Sequence, residues 1–253
     1  MSDTLMQHYL KNLRLPTFLK EYKQTGQACL EEGASYTDYL KRLSEKEYVN
    51  RQDKAIQHKI KKARFPTLKT LDMFNFKALP GLNKALILDL NRGDYIPACE
   101  NVLALGNSGT GKTHLAIALG YAACQQNRSV YFTQAAQLVH QLIEAREERE
   151  LLRFKKKLLA YDVLIIDELG FVPFSKSGAD LLFDIFSGRY EQGSTIVTSN
   201  LPFEQWTEVF GCERLTGALL DRLTHHVHIL EMNGDSYRLN KAKEEKEDKK
   251  TRK

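Results

Sequence analysis

The chain of 253 residues is poor in the features that would make it a stapled or membrane protein. Its four cysteines, Cys29, Cys99, Cys124 and Cys212, form no CxxC pair and none has zinc-ligand spacing with a histidine. That excludes a disulfide framework or a zinc ribbon and fits a reducing cytosol. No run approaches the ~18 apolar residues of a membrane span. The opening MSDTLMQHYLKNLRL is too polar for a signal-peptide core, so a cytoplasmic protein without membrane association is expected. No internal repeat is visible. With 42% apolar and 27% charged residues, wholesale disorder and a collagen-like fibre are excluded. The length is enough to bury a core without staples.

What is present is unevenly charged. Residues 1–70 carry 14 basic and 8 acidic side chains, a net of +6. Residues 71–240 carry 16 and 20, a net of −4, and residues 241–253 carry 7 and 4, a net of +3. A basic arm on an acidic body suggests a polyanion-facing element beside a body with another task.

The first 64 residues read as helices. Pro16 suits a first helical turn, and Gly33 ends the second helix. Ser35 and Asp38 form a capping-box-like start for a long helix reaching Phe65-Pro66. Tyr36, Leu40 and Leu43 form an apolar stripe on its first half. Further along, Arg51, Lys54, His58 and Lys61 share one face, thickened by Lys59, Lys62 and Arg64, and become the candidate DNA contacts. Residues 65–80 read as an irregular linker that packs on the next domain. From there to about 240, short apolar runs alternate with helical patterns: NVLAL, SVYFT, DVLIIDE, STIVTSN and an edge strand, HVHILE. This predicts βα units and a parallel sheet covered by helices on both faces. Residues 241–253, almost without apolar side chains, are expected to be disordered.

GNSGTGKT at 106–113 matches the phosphate-loop pattern in full, between a strand and a helix. Gly106, Gly109 and Gly111 let backbone N–H groups turn inward, with Asn107, Ser108 and Thr110 completing the cradle. Lys112 is expected to reach the β- and γ-phosphates of a nucleotide, and the Thr113 hydroxyl to ligate Mg²⁺. Asp167 and Glu168 close an apolar strand at the sheet edge where ligands bind. Asp167 fits the Mg²⁺ carboxylate, and Glu168 the base that positions the attacking water.

Asn200 closes the next strand on the same edge. Among the arginines, Arg222 is the first choice for a finger supplied in trans, Arg238 for a nucleotide sensor, and Arg189 competes for either role. Lys155, Lys156 and Lys157 add a second patch that could touch DNA. His225, His226 and His228 straddle a strand start and are expected to pack rather than bind metal. Trp206 is expected to pack in a helix. A GTPase reading lacks an N-K-x-D motif, and a small-molecule kinase leaves Glu168, Asn200 and Arg222 in series unexplained.

In order, GNSGTGKT, LIIDE, TIVTSN and LLDRL resemble an AAA+ ATPase of the initiator and helicase-loader group. With the N-terminal helices, FPTLKTLDMFNF and DSYRL, the chain closely resembles the IstB family over roughly 1–240. The resemblance implies an α/β fold: a P-loop AAA+ domain over 81–240 with a five-stranded parallel sheet, preceded by a small all-α domain. It implies ATP hydrolysis, ATP-dependent self-assembly on duplex DNA, and cooperation with a DDE-type transposase. Asn200 then becomes the first sensor and Arg222 the intersubunit finger. Only about ten residues separate HVHILE from the charged tail, so no C-terminal lid domain is expected. A DnaC-like helicase loader is the alternative reading.

Overall fold

The computed structural model describes residues 2–237, the side chain of Ser2 excepted. Arg238 and the 241–253 tail lie outside the described residues. The chain divides into two compact units, Met1–His58 and Lys59–Lys253.

The first unit is helical: α1 (Ser2–Asn12), α2 (Pro16–Glu32) and most of α3 (Tyr36–Ala63). Pro16 opens α2, and Gly33 closes it at φ 67°. The Ser35 hydroxyl accepts from the Asp38 amide at 3.1 Å while an Asp38 carboxylate oxygen accepts from the Ser35 amide at 3.2 Å, a reciprocal capping box. The apolar stripe expected on α3 is only partly used. Leu43 is buried, whereas Tyr36 and Leu40 are 96% and 57% exposed. Helical spacing places residues on one face, but it does not supply a neighbour to cover them.

The second unit starts within α3, whose last turns place Ile60 and Ala63 against the sheet core. Single 3₁₀ turns at Leu71–Met73 and Phe76–Ala78 interrupt the linker, and Leu71, Phe74 and Phe76 pack on that same core. The short helix α4 (Lys84–Leu90), not foreseen in the sequence, begins at Asn83, whose side chain accepts from the Leu86 amide. Then β1 (Asn101–Leu105), α5 (Lys112–Gln125), β2 (Val130–Gln134), α6 (Ala135–Glu147) and α7 (Leu151–Leu159) follow. The chain continues through β3 (Val163–Leu169), α8 (Lys176–Arg189), β4 (Ser194–Ser199), α9 (Trp206–Phe210), α10 (Glu213–Thr224) and β5 (Val227–Glu231).

All five strands are parallel, in the order β2-β3-β4-β1-β5, so β5 is an edge as expected. Successive side chains of a strand point to opposite faces. Accordingly Val163 and Ile165 join the core shared with α5, while Leu164 and Ile166 join the core shared with α6 and α8. Trp206 is buried in the second core beside Phe203 and Phe210, its indole N–H donating to Leu201 O at 3.2 Å. The order also matters for chemistry. β4 lies between β1 and β3, so its C-terminal end sits between the phosphate loop and the Asp167-Glu168 pair.

Candidate active site

β1 delivers Gly106 to the C-terminal edge of the sheet, and the loop 106–111 runs into the N-terminus of α5. The loop is tightly covered. A Cβ at Gly109, where φ is 83°, would lie 2.1 Å from Ser236 Oγ. One at Gly111, where φ is 96°, would lie 2.8 Å from the Phe74 ring. Both positions demand glycine by conformation and by space. Thr110 Oγ1 donates to Asn107 O at 2.9 Å, and Asn107 Nδ2 donates to Gly234 O at 3.4 Å. Lys112 Nζ donates to Gly106 O at 2.6 Å and Asn107 O at 2.7 Å, which places an ammonium at the rim of the loop.

Thr113 and Asp167 are brought together. Thr113 Oγ1 lies 2.9 and 3.1 Å from the two Asp167 carboxylate oxygens and donates to them. A hydroxyl and a carboxylate are hard oxygen donors, the set Mg²⁺ selects, so these residues fit that ion. Asp167 is only 2% exposed. Thr198 Oγ1 on β4 donates to its Oδ1 at 2.6 Å and accepts from the Glu168 amide at 3.0 Å.

Glu168 points the other way, exposed and lining the cleft. Its φ of 58° is left-handed, and the β3–β4 register shifts between Ile166 and Leu169. Such a backbone costs on the order of 1–2 kcal/mol for a side chain other than glycine. Two contacts hold it: the Thr198 hydroxyl on its amide, and Gln134 Nε2 donating to its carboxylate at 3.0 Å. A strained, bulged strand end that separates two adjacent carboxylates is a feature of functional sites.

The cleft has a volume of about 940 Å³. Its polar side is the loop from Ser108 to Thr113, with Glu168 and Asn200. Its apolar side is the linker, through Pro66, Met73, Phe74 and Leu79. Asn200, exposed at the end of β4, therefore shares the cleft with the loop and Glu168.

Two residues escaped the sequence reading. Thr198 could have been found, because strand alternation puts it on the same face as Asn200. Gln134 could not, since its pairing with Asp167 depends on β2 neighbouring β3.

Arg222 is not among the residues lining the cleft of its own chain. Its guanidinium lies 5.1 Å over the Phe183 ring and donates to Ala218 O at 2.7 Å. The expectation for Arg189 as finger or sensor is wrong. It is 2% exposed at the opposite, N-terminal ends of β3 and β4. There it donates to the carbonyls of Leu158, Tyr161, Asp162 and Ser194 and to Thr195 Oγ1. Burial pushes its guanidinium down to about 10, so it stays cationic at neutral pH. It ties strand starts together and cannot reach a phosphate.

The histidines divide. His228 is half-buried, 2.7 Å from Glu100 Oε2, but His225 and His226 are exposed rather than packed. With Glu191 they form a cluster whose ligand-capable atoms lie within 4.8 Å of one another. Of the candidate DNA contacts, Lys54, Lys61, Lys62, Lys156 and Lys157 are exposed. Arg51 binds Glu47 at 2.6 Å and also Arg14 O, and Lys155 binds Asp184 at 2.5 Å. Lys155 is thus committed to an ion pair within the fold.

Residues 8–245 match the family model of the IstB-like ATP binding protein. The chain is 37% identical to the IS5376 insertion-sequence ATP-binding protein of Geobacillus stearothermophilus, over 94% of this chain and 95% of that one. It is 38% identical to the IS21 insertion-sequence ATP-binding protein of Pseudomonas aeruginosa, over 81% and 77%. Among solved structures, the DnaC helicase loader aligns with a TM-score of 0.51 at 22% identity, over 58% of this chain and 86% of that one. The initiator DnaA bound to AMPPCP and single-stranded DNA aligns with a TM-score of 0.56 at 21% identity, over 73% and 56%. At such identities these structures establish the AAA+ fold alone. The chain belongs to the IstB-like ATP binding protein family and is an ATPase built on the AAA+ fold.

Proposed function

We propose that this ATPase is the helper of an insertion sequence: it binds ATP with Mg²⁺, assembles on duplex DNA and engages a DDE-type transposase. The observation that carries the nucleotide chemistry is the chain Thr113–Asp167–Thr198–Glu168, which links the phosphate loop to the sheet edge through three hydrogen bonds. Lys112 leaves its loop carbonyls for the β- and γ-phosphates, exchanging neutral acceptors for charged ones. Thr113 and Asp167 hold Mg²⁺, which when bound neutralises charge on the phosphate oxygens. Glu168 takes a proton from the attacking water, with Gln134 setting its carboxylate and Asn200 orienting the water beside it. Arg222, outside its own cleft, stabilises phosphoryl charge in a neighbouring copy.

The exposed lysines of α3 and the 156–157 pair supply phosphate contacts to DNA. The insertion-sequence relatives favour this reading over a helicase loader. ATP turnover and particle size, measured with and without duplex DNA, test it. Both should rise with DNA; turnover and size that ignore DNA would overturn the proposal.

A further inference from the structure

The residue after Thr113 is His114, which the phosphate chemistry leaves unused. Its Nε2 lies 2.9 Å from the carbonyl oxygen of Thr70. A carbonyl can only accept, so Nε2 carries the proton and donates. The ring also meets Phe74 edge-on, at 5.3 Å between centroids and 84° between planes. Phe74 in turn fills the space beside Gly111 and meets Phe76 at 5.0 Å. The first turn of α5 therefore grips the linker at two points, Thr70 and Phe74.

That linker is the apolar wall of the cleft. Met73, Phe74, Ala78 and Leu79 give it an apolar stretch suited to a flat heteroaromatic ring, beside the polar Thr67, Lys69 and Asn75 of the same linker. Between Thr70 and Leu79 the regular backbone structure is two single 3₁₀ turns, and Leu71, Phe74 and Phe76 seat the segment on the sheet core. The phosphate side is secured separately, by Lys112 on its own loop and Thr113 on Asp167.

We propose that His114 is a positioning residue for base binding: it clamps Thr70–Phe74 to α5 and so fixes the base-side wall relative to the phosphate loop. This rests on the reading that the cleft takes ATP. Loss of the clamp loosens the wall and weakens the hold on the base. It spares the hold on the phosphates, which rests on Lys112, Thr113 and the loop itself.

The test is titration of the full chain, with Mg²⁺, by ATP and by inorganic tripolyphosphate, with melting temperatures recorded alongside. The unaltered chain should prefer ATP by at least about tenfold. His114→Ala should lose about tenfold in ATP affinity and nothing in tripolyphosphate affinity. His114→Gln, whose amide N–H replaces the ring donor, should recover most of the loss. Phe74→Leu, which keeps the wall apolar, should lose about threefold for ATP alone. Equal losses for the two ligands, or no loss in His114→Ala, would overturn the clamp. An unaltered chain that binds tripolyphosphate as tightly as ATP overturns this proposal but leaves the phosphate site standing. One that binds neither overturns the nucleotide reading, and the clamp with it.

Discussion

The two compact units fill their interiors by different means. In the ATPase unit, Val, Ile and Leu of β1, β3 and β4 are covered on both faces by helices, and burial of each contributes roughly 1.5–3 kcal/mol. In the helical unit, the buried apolar side chains among the described residues are Cys29 and Leu43. Beside them are buried Thr17, Thr25 and Glu47. Glu47 accepts from the Thr17 amide at 2.8 Å and from Arg51 Nε at 2.6 Å, and Asn50 reaches Thr17 Oγ1 at 2.7 Å. Leu5, Tyr9, Leu13, Leu30 and Leu40 stay exposed. The first unit is thus specified by a polar network, the second by an apolar core. The chemistry sits on the unit with the apolar core.

The comparison breaks most sharply at Lys112. Lys112→Ala should lower ATP affinity by roughly 100-fold or more, since a charged donor to two phosphates disappears. Equilibrium titration checks this, with the helical unit's CD signal unchanged.

Next comes Arg189→Leu, aimed at a buried charge of the apolar unit that lies away from the cleft. It leaves four carbonyls and a hydroxyl without their donor in the interior, and should cost about 3–5 kcal/mol. Denaturant unfolding of the ATPase unit would show it. An unchanged midpoint would mean water replaces the guanidinium.

In the helical unit, Glu47→Gln should cost about 1–2 kcal/mol, because Arg51 is half exposed and partly compensated by water. Burial alone would raise the Glu47 carboxyl, but the Arg51 guanidinium and the Thr17 amide outweigh it and hold it below the ordinary glutamate range. A depressed folded value stabilises above the unfolded value and is lost as pH falls through the folded one. Helical-unit stability should therefore drop below about pH 4, and the Glu47→Gln chain should show a smaller drop. Paired acid titrations followed by CD decide this.

The smallest effect concerns the polyanion contacts. Arg51, Lys54 and Lys61 changed together to Ala should weaken duplex binding several-fold and flatten its salt slope by about two to three. Unchanged affinity and slope would remove α3 from the interface. Arg51 should contribute least, being held by Glu47.

The same contrast explains how much was legible in advance. The parallel sheet could be read from its apolar runs, and the phosphate loop from residue types that no other chemistry requires at that spacing. Asp167 and Glu168 were legible as a pair. Strand alternation alone turns them apart, but the register shift and the left-handed φ at Glu168 were not legible. Arg189 misled because an arginine near a helix end carries no mark of burial; strand starts packing around it decide its role. On α3, spacing foretold the shared face of Tyr36, Leu40 and Leu43, but spacing does not say which of them finds cover, and of the three only Leu43 is buried. Gln134 acts through strand order, which a single sequence does not print.

In the proposed function, Glu168, set by Thr198 and Gln134 beside the Thr113–Asp167 pair, drives ATP hydrolysis. Steady-state turnover of the intact chain and of Glu168→Gln, with ATP binding measured in parallel, tests it most directly. Glu168→Gln should bind ATP within about threefold of the intact chain and turn over at least ~100-fold more slowly. Turnover within a few-fold of the intact chain would contradict it.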